Sequence, residues 1–241
     1  MEVGYISNKL THWTGRGKSE EEAFKTLLTI LKTKKLILSQ CYTGPSSDIH
    51  PKSDYAEKIA CFTDIPLALS KEHCNIFGNI GISFKKENMI RYGAHPVVYY
   101  LESMIDSIRT YADYVFHKFN EIQKISSTNN IEHVNISEYE NLRRLLSIVQ
   151  TYDYFGDGKS ENPNYYQREW RVFFDGSRVS EDFDNPKPGE QTLDVVSNRQ
   201  YFNFDYNDVE SIIVPHNFKS DGLELIQGMG NINLYIYEEL V

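Results

Sequence analysis

The 241-residue chain lacks most of the features that would narrow its chemistry at once. Its three cysteines, Cys41, Cys61 and Cys74, are an odd number without CxxC spacing. That argues against a disulfide framework and against a zinc ribbon, and leaves buried free thiols as the plain reading. No apolar run approaches the roughly 18 residues that a membrane-spanning helix needs. The opening "MEVGYISNKLTHW" has no basic-then-apolar leader pattern, so a cytoplasmic protein is expected. GxGxxG, GxxxxGK[ST] and GxSxG are all missing, which removes the commonest dinucleotide, P-loop and serine-hydrolase signatures. Basic charge is also short, with 25 Lys+Arg against 34 Asp+Glu and a net charge of −9. An acidic chain is a poor general binder of nucleic acid. The deficit is uneven: residues 1–125 carry a net +2, residues 126–241 a net −11. The near-neutral half could hold a local anion pocket of dinucleotide size.

What is present is a foldable chain, with 40 % hydrophobic and 13 % aromatic residues. Ser19 and Glu22 have capping-box spacing, and Phe24, Leu27, Leu28 and Leu31 follow at the spacing of one helix face. "KKLILSQ" reads as a short strand, 44–54 as a loop, 58–66 as a buried strand ending at Pro66, and 67–76 as a short helix. "GNIGISF" (78–84) and "PVVYYL" (96–101) read as strands. A helical block then carries Ile105, Ile108, Ala112, Val115, Phe119 and Ile122 on one face. A second helix, about 138–150, has Ser137 and Glu140 as a capping box and Leu142, Leu145, Leu146 and Val149 as its stripe. After a loop of turn formers (155–164), strands are expected at 165–174, around 192–196, at 209–214 and at 232–237, with a short helix at 219–227. Strands and helices do not alternate strictly, which argues against a Rossmann domain. The expected fold is a single mixed α+β domain over 1–241 with a two-helix insert at about 102–150.

Three stretches could carry chemistry. "YYQREWRVFF" (165–174) is dense in aromatics yet holds three ionisable side chains. If it is one strand, Gln167, Glu169 and Arg171 share a face, while Tyr166, Trp170 and Val172 share the other and pack on the core. Burying an unpaired charge is expensive. Glu169 and Arg171 therefore either pair with each other or a neighbour, or line a polar cleft where Gln167 and Glu169 meet a ligand. In "LTHWTG" (10–15), His12 and Thr14 would share a face, and Gly15 would let backbone approach a ligand. The alternative is an ordinary strand end. In "CFTDIPL" (61–67), Thr63 sits among apolar residues and Asp64 is placed to cap the following turn. Glu72, His73 and Cys74 are consecutive, and a helix cannot aim consecutive side chains at one point, so no metal site is expected. No residue trio reads as a nucleophilic triad.

An H-x-T strand before a helix, a mid-chain strand with a threonine, a Gly-entered strand and a late Q-x-E strand occur here in an order that resembles the ADP-ribosyltransferase superfamily. "HWT…AFKTLLTILKTKKLILS" also looks like the opening of its DNA-modifying members. This resemblance implies a mixed, mainly antiparallel split β-sheet core and NAD as substrate, with a protein or nucleic-acid acceptor. His12 would hold the NAD ribose, with Thr14, Gly15 and Thr63 completing the cofactor site. Glu169 would be the catalytic carboxylate and Gln167 its companion. A carboxylate there would stabilise positive charge on the ribose as the nicotinamide bond breaks. The middle motif departs from the pattern, being F-T-D, and no tyrosine is placed to stack on nicotinamide.

At the family level "FTDIPLALSKEH", "FGNIGISFKKE", "GAHPVVYY", "REWR" and "VESIIVP" are similar to the abortive phage-resistance proteins called AbiGi. That resemblance implies a role in phage defence and a protein partner encoded alongside. It leaves two alternatives: an NAD-dependent effector, or a non-enzymatic antitoxin-type partner whose late acidic half would be the contact surface.

Overall fold

A computed structural model describes residues 6–40, 58–100, 148–151, 167–173, 179–182 and 199–240, together with 104, 106–107, 110–111, 113–114, 117–118 and 121. The chain divides into two compact units. The larger comprises Met1–Ser39, Ile59–His95 and Gln167–Val241, and the smaller Gln40–Lys58 and Pro96–Tyr166. The elements are β1 (Lys9–Trp13), α1 (Glu20–Thr33), β2 (Lys35–Ile37), β3 (Ser39–Gln40), β4 (Lys58–Thr63), α2 (Lys71–Phe77), β5 (Gly81–Lys85), α3 (Lys86–Arg91), β6 (His95–Pro96) and β7 (Val98–Tyr100). They continue with β8 (Val149–Thr151), β9 (Glu169–Phe173), β10 (Val179–Asp182), β11 (Arg199–Asn203), β12 (Val209–Val214), α4 (Lys219–Ile226) and β13 (Asn233–Ile236). Mixed α+β architecture with a mainly antiparallel sheet is therefore as expected. Among the described residues no helix is long and apolar enough to cross a membrane.

The main sheet runs β13-β12-β5-β1-β4-β9-β6, with β3 also paired to β4. The β12–β13 pair is parallel, while β12–β5, β5–β1, β1–β4 and β4–β9 are antiparallel. A second sheet, β10-β11-β2, is antiparallel throughout.

Helix α1 forms where its sequence directs. The Ser19 hydroxyl accepts from the Glu22 amide, and the Glu22 carboxylate accepts from the Ser19 amide. Those bonds hold Glu22 below the usual carboxylate range. Ala23, Phe24, Leu27, Ile30 and Leu31 are the buried stripe. They pack with Leu10, Phe62, Ile82, Phe84, Val172, Ile212 and Val214 on one face of the main sheet. Leu36, Phe202 and Phe204 bring the second sheet into the same core. Each such side chain, fully buried, contributes about 1.5–3 kcal/mol.

Three elements, α3, β10 and β11, escape the periodicity reading. α3 buries only Met89, and β11 shows a single fully buried side chain, Phe202. One buried residue in five or six gives no repeat to detect. In the smaller unit β7 pairs with β8 in parallel, Val98 opposite Val149. Val149 and Gln150, expected at the end of a helix, lie in a strand instead. The described residues of the block beginning near 105 are helical and exposed, with Thr110 Oγ1 donating to the Asp106 carbonyl at 2.7 Å. The apolar stripe expected there, most of the 138–150 helix, the 44–54 and 155–164 loops and the strand near 192–196 lie outside the described residues.

Candidate functional site

The site is built on β4 and β9, which pair Thr63 with Glu169, Phe62 with Trp170 and Cys61 with Arg171. Strand β9 begins at Glu169, not at 165. Arg168 adopts a left-handed φ of 44°, a conformation that costs a non-glycine residue about 1–2 kcal/mol. Gln167 precedes that break, so strand alternation does not place its side chain with Glu169. This corrects the expectation of one polar row from Gln167 to Arg171. Glu169 and Arg171 do share a face, with Trp170 and Val172 on the core side as expected.

Glu169 and Arg171 answer each other. Arg171 Nε donates to Glu169 Oε1 at 2.8 Å and its Nη2 to Oε2 at 3.0 Å. The fork is bidentate between residues i and i+2 of one strand, in a place where Arg171 is fully buried. Both carboxylate oxygens are engaged by one guanidinium.

The other candidate residues are likewise held by the fold. The buried Thr63 hydroxyl donates to the Gln167 carbonyl at 2.7 Å and accepts from the Ile65 amide at 3.3 Å. Thr14 Oγ1 lies 3.1 Å from both the Ala23 and the Ile80 carbonyls. Gly15 sits against Gly78: a Cβ on Gly15 would lie 2.8 Å from the Gly78 Cα. Gly15 therefore permits a close approach of two backbones, and its amide donates to the Phe77 carbonyl at 3.0 Å. His12 Nδ1 is 2.9 Å from the Cys61 carbonyl, to which it donates. Burial holds the His12 imidazole below the usual histidine range, against that hydrogen bond.

The register separates these residues. Thr11 is opposite Thr63, so His12 falls on the next position, beside Phe62, with their ring centroids 5.8 Å apart. His12 thus stands in the apolar row of Leu234, Ile212, Ile82 and Trp170. Thr63 and Glu169 stand on the other face. There the pairing aligns Asn233, Ser211, Ser83, Thr11, Thr63 and Glu169 straight across six strands. All but Asn233 are buried. The structure therefore does not bring His12 and Glu169 into one cleft.

Helix α2 packs over this polar face. His73 stacks on Phe77 at 4.3 Å between centroids and approaches Trp13 at 6.3 Å. Trp13 lies across Gly81, where a Cβ would meet the indole at 2.8 Å. Burial lowers the His73 pKa to about 4, opposed by the nearby Glu169 charge. Burial also pushes the Cys74 thiol up to about 11, away from reactivity.

Asp64, for which a turn cap is one of two readings, is the centre of an ion cluster. Lys86 Nζ lies 2.9 Å from Oδ2 and Arg168 Nε 2.8 Å from Oδ1. Lys86 also sits 4.4 Å above the Trp170 ring. This cluster holds Arg168 in its strained conformation and so fixes the start of β9. Phe62-Thr-Asp contains no signal for it, because both cations are distant in sequence. Among the described residues no three His, Cys, Asp or Glu side chains are grouped to hold a metal ion.

A family model described as "Putative abortive phage resistance protein AbiGi, antitoxin" matches residues 39–215. No curated protein and no solved structure matches the chain.

Proposed function

The chain belongs to the AbiGi family of abortive phage-resistance antitoxins, and from that premise we propose that it acts in the cytoplasm by binding a protein partner, without catalysis of its own. The observation that carries this reading is the Glu169–Arg171 fork. The carboxylate best suited to chemistry has both oxygens engaged by a buried guanidinium at 2.8 and 3.0 Å. The hydroxyls of Thr63 and Thr14 and the Nδ1 of His12 are likewise spent on backbone carbonyls. Such groups build a rigid scaffold, and a rigid scaffold presents a binding surface at low entropic cost.

NAD-dependent transfer needs an open carboxylate and a ribose-holding histidine on one cleft. Here Glu169 and His12 occupy opposite faces of the sheet, so the reading rests on binding and not on NAD.

The test is co-expression with the protein encoded alongside it. The expected result is relief of that protein's toxicity, a stable complex on gel filtration, and no nicotinamide release from NAD by either the chain or the complex. Relief should survive Glu169→Gln wherever the variant remains folded. NAD turnover that disappears in folded Glu169→Gln would instead assign catalysis to the chain.

A further inference from the structure

We infer that the partner docks by adding an extended, cationic segment to the free edge of β13. This inference rests on the partner-binding reading above and names where and how the partner is held.

Among the described residues β13 is the terminal strand of the main sheet and pairs only with β12. In a strand, alternate residues turn their N–H and C=O groups away from the neighbour. Among the described residues, no backbone hydrogen bond reaches the outer side of Asn233–Ile236. A terminal strand with open donors and acceptors templates pairing with another chain unless it is blunted. Asn233, Leu234, Tyr235 and Ile236 include no proline and no lysine, and the β12–β13 register runs without a bulge.

The surroundings select the occupant. Four exposed acidic residues lie on the elements that flank β13. Glu238 and Glu239 follow β13 after Tyr237 and are exposed. Helix α4 packs on β13, with Gly222 against Leu234, and presents exposed Asp221 and Glu224. Lys219 lies 3.7 Å from Glu239 and offsets one of these charges, while Lys9, 4.9 Å from the Tyr235 ring centroid, is matched by Glu210 at 3.6 Å. A second copy of this chain would bring the same acidic groups face to face, which disfavours self-pairing. A partner strand flanked by lysine or arginine is matched both to the open edge and to the charge around it.

The experiment is backbone hydrogen exchange on the purified complex with the protein encoded alongside, together with the double variant Asp221→Lys/Glu224→Lys. Both positions are exposed, so a melting curve close to wild type is expected and checks folding. The edge inference predicts slowed exchange at residues 233–236 on complex formation. It also predicts binding about tenfold weaker in the double variant, with a shallower dependence on salt, because rim charges act on association. If no complex forms, the partner-binding reading fails and this inference with it. If a complex forms while residues 233–236 exchange as in the free protein, the edge inference fails and the partner-binding reading stands. Protection of 233–236 in free protein, increasing with its concentration, would assign the edge to a second copy and overturn the cationic-partner inference.

Discussion

The two faces of the main sheet in the larger unit are held by different physics. On one face Leu10, Phe62, Ile82, Phe84, Ile212 and Val214 meet the stripe of α1, and cohesion there is apolar burial. On the other face the strands align Ser211, Ser83, Thr11, Thr63 and Glu169, and cohesion depends on each polar group finding a partner. Thr11 and Ser83 find each other at 2.8 Å, Thr63 finds the Gln167 carbonyl, and Glu169 finds Arg171. The difference teaches that polar residues in apolar strands do not by themselves mark an active site. A row of hydroxyls ending in an ion pair can be as structural as a row of leucines.

The comparison breaks most visibly at its ion pair. Glu169→Ala leaves the Arg171 guanidinium buried without its carboxylate, and such a break costs about 3–5 kcal/mol. Chemical denaturation should show that loss. Replacing both residues, as Glu169→Leu/Arg171→Met, should recover most of it, because the guanidinium goes together with its carboxylate. A single variant with wild-type stability would remove the pair from the account of what holds the polar face.

On the apolar face the matching change is Leu27→Ala. Leu27 is fully buried in the α1 stripe, so the lost transfer energy and the cavity together should cost about 3 kcal/mol. No paired substitution nearby should rescue it short of refilling the volume. Rescue on one face by removing a second residue, and on the other only by adding atoms, is the sharpest contrast between the two.

These differences also decide what the sequence made legible. Helix α1 was readable because capping and periodicity are local, four residues apart at most. Strands β4, β5 and β12 were readable as short apolar runs. Parity inside β9 was readable too, placing Glu169 and Arg171 together and Trp170 opposite. The relation between strands was not. His12 and Glu169 fall on opposite faces because Thr11, and not His12, pairs with Thr63. A one-residue slip would reverse that, and no local signal fixes pairing across the sequence separation of 104 from Thr63 to Gln167. The same reason hid the Asp64 cluster, whose cations, Lys86 and Arg168, arrive from distant elements. The left-handed turn at Arg168 is stabilised by that cluster, so the early end of β9 was hidden with it.

The polar face should also show a pH signature. His73 has its folded pKa lowered from 6.5 to about 4. Above the upper value the ring is neutral in both states, and its burial carries no charge penalty. As pH falls below it, the unfolded chain binds a proton that the folded protein resists, so stability declines until about pH 4. The ring keeps part of its surface in water, which limits the loss to about 1–2 kcal/mol. Melting temperatures between those pH values should fall less steeply in His73→Phe than in wild type. His12, whose pKa is lowered in the same direction, supplies a remaining slope. Identical slopes in variant and wild type would show that His73 does not resist protonation in the folded state.

The smallest effect should have the opposite sign. Ser83 and Ser211 face each other across β5 and β12, and both are fully buried. Their hydroxyls differ: Ser83 Oγ is 2.8 Å from Thr11 Oγ1, while Ser211 Oγ is buried with no hydrogen-bond partner. A buried hydroxyl without a partner has given up its bond to water for nothing. Ser211→Ala removes that penalty and leaves a hydrogen-bond-free methyl against Ser83, so stability should hold or rise by about 0.5–1 kcal/mol. Ser83→Ala strands the Thr11 hydroxyl instead and should cost about 1–3 kcal/mol. The two alanines thus test whether the polar row is one connected network or a set of separate pairs. Equal losses at both positions would mean that Ser211 is bonded too, through a trapped water, and that side-chain bonding extends from Thr11 to β12. A gain at Ser211 with a loss at Ser83 would confine that bonding to the Thr11–Ser83 pair of β1 and β5, and leave the strand beside β13 held by backbone pairing and by its apolar face.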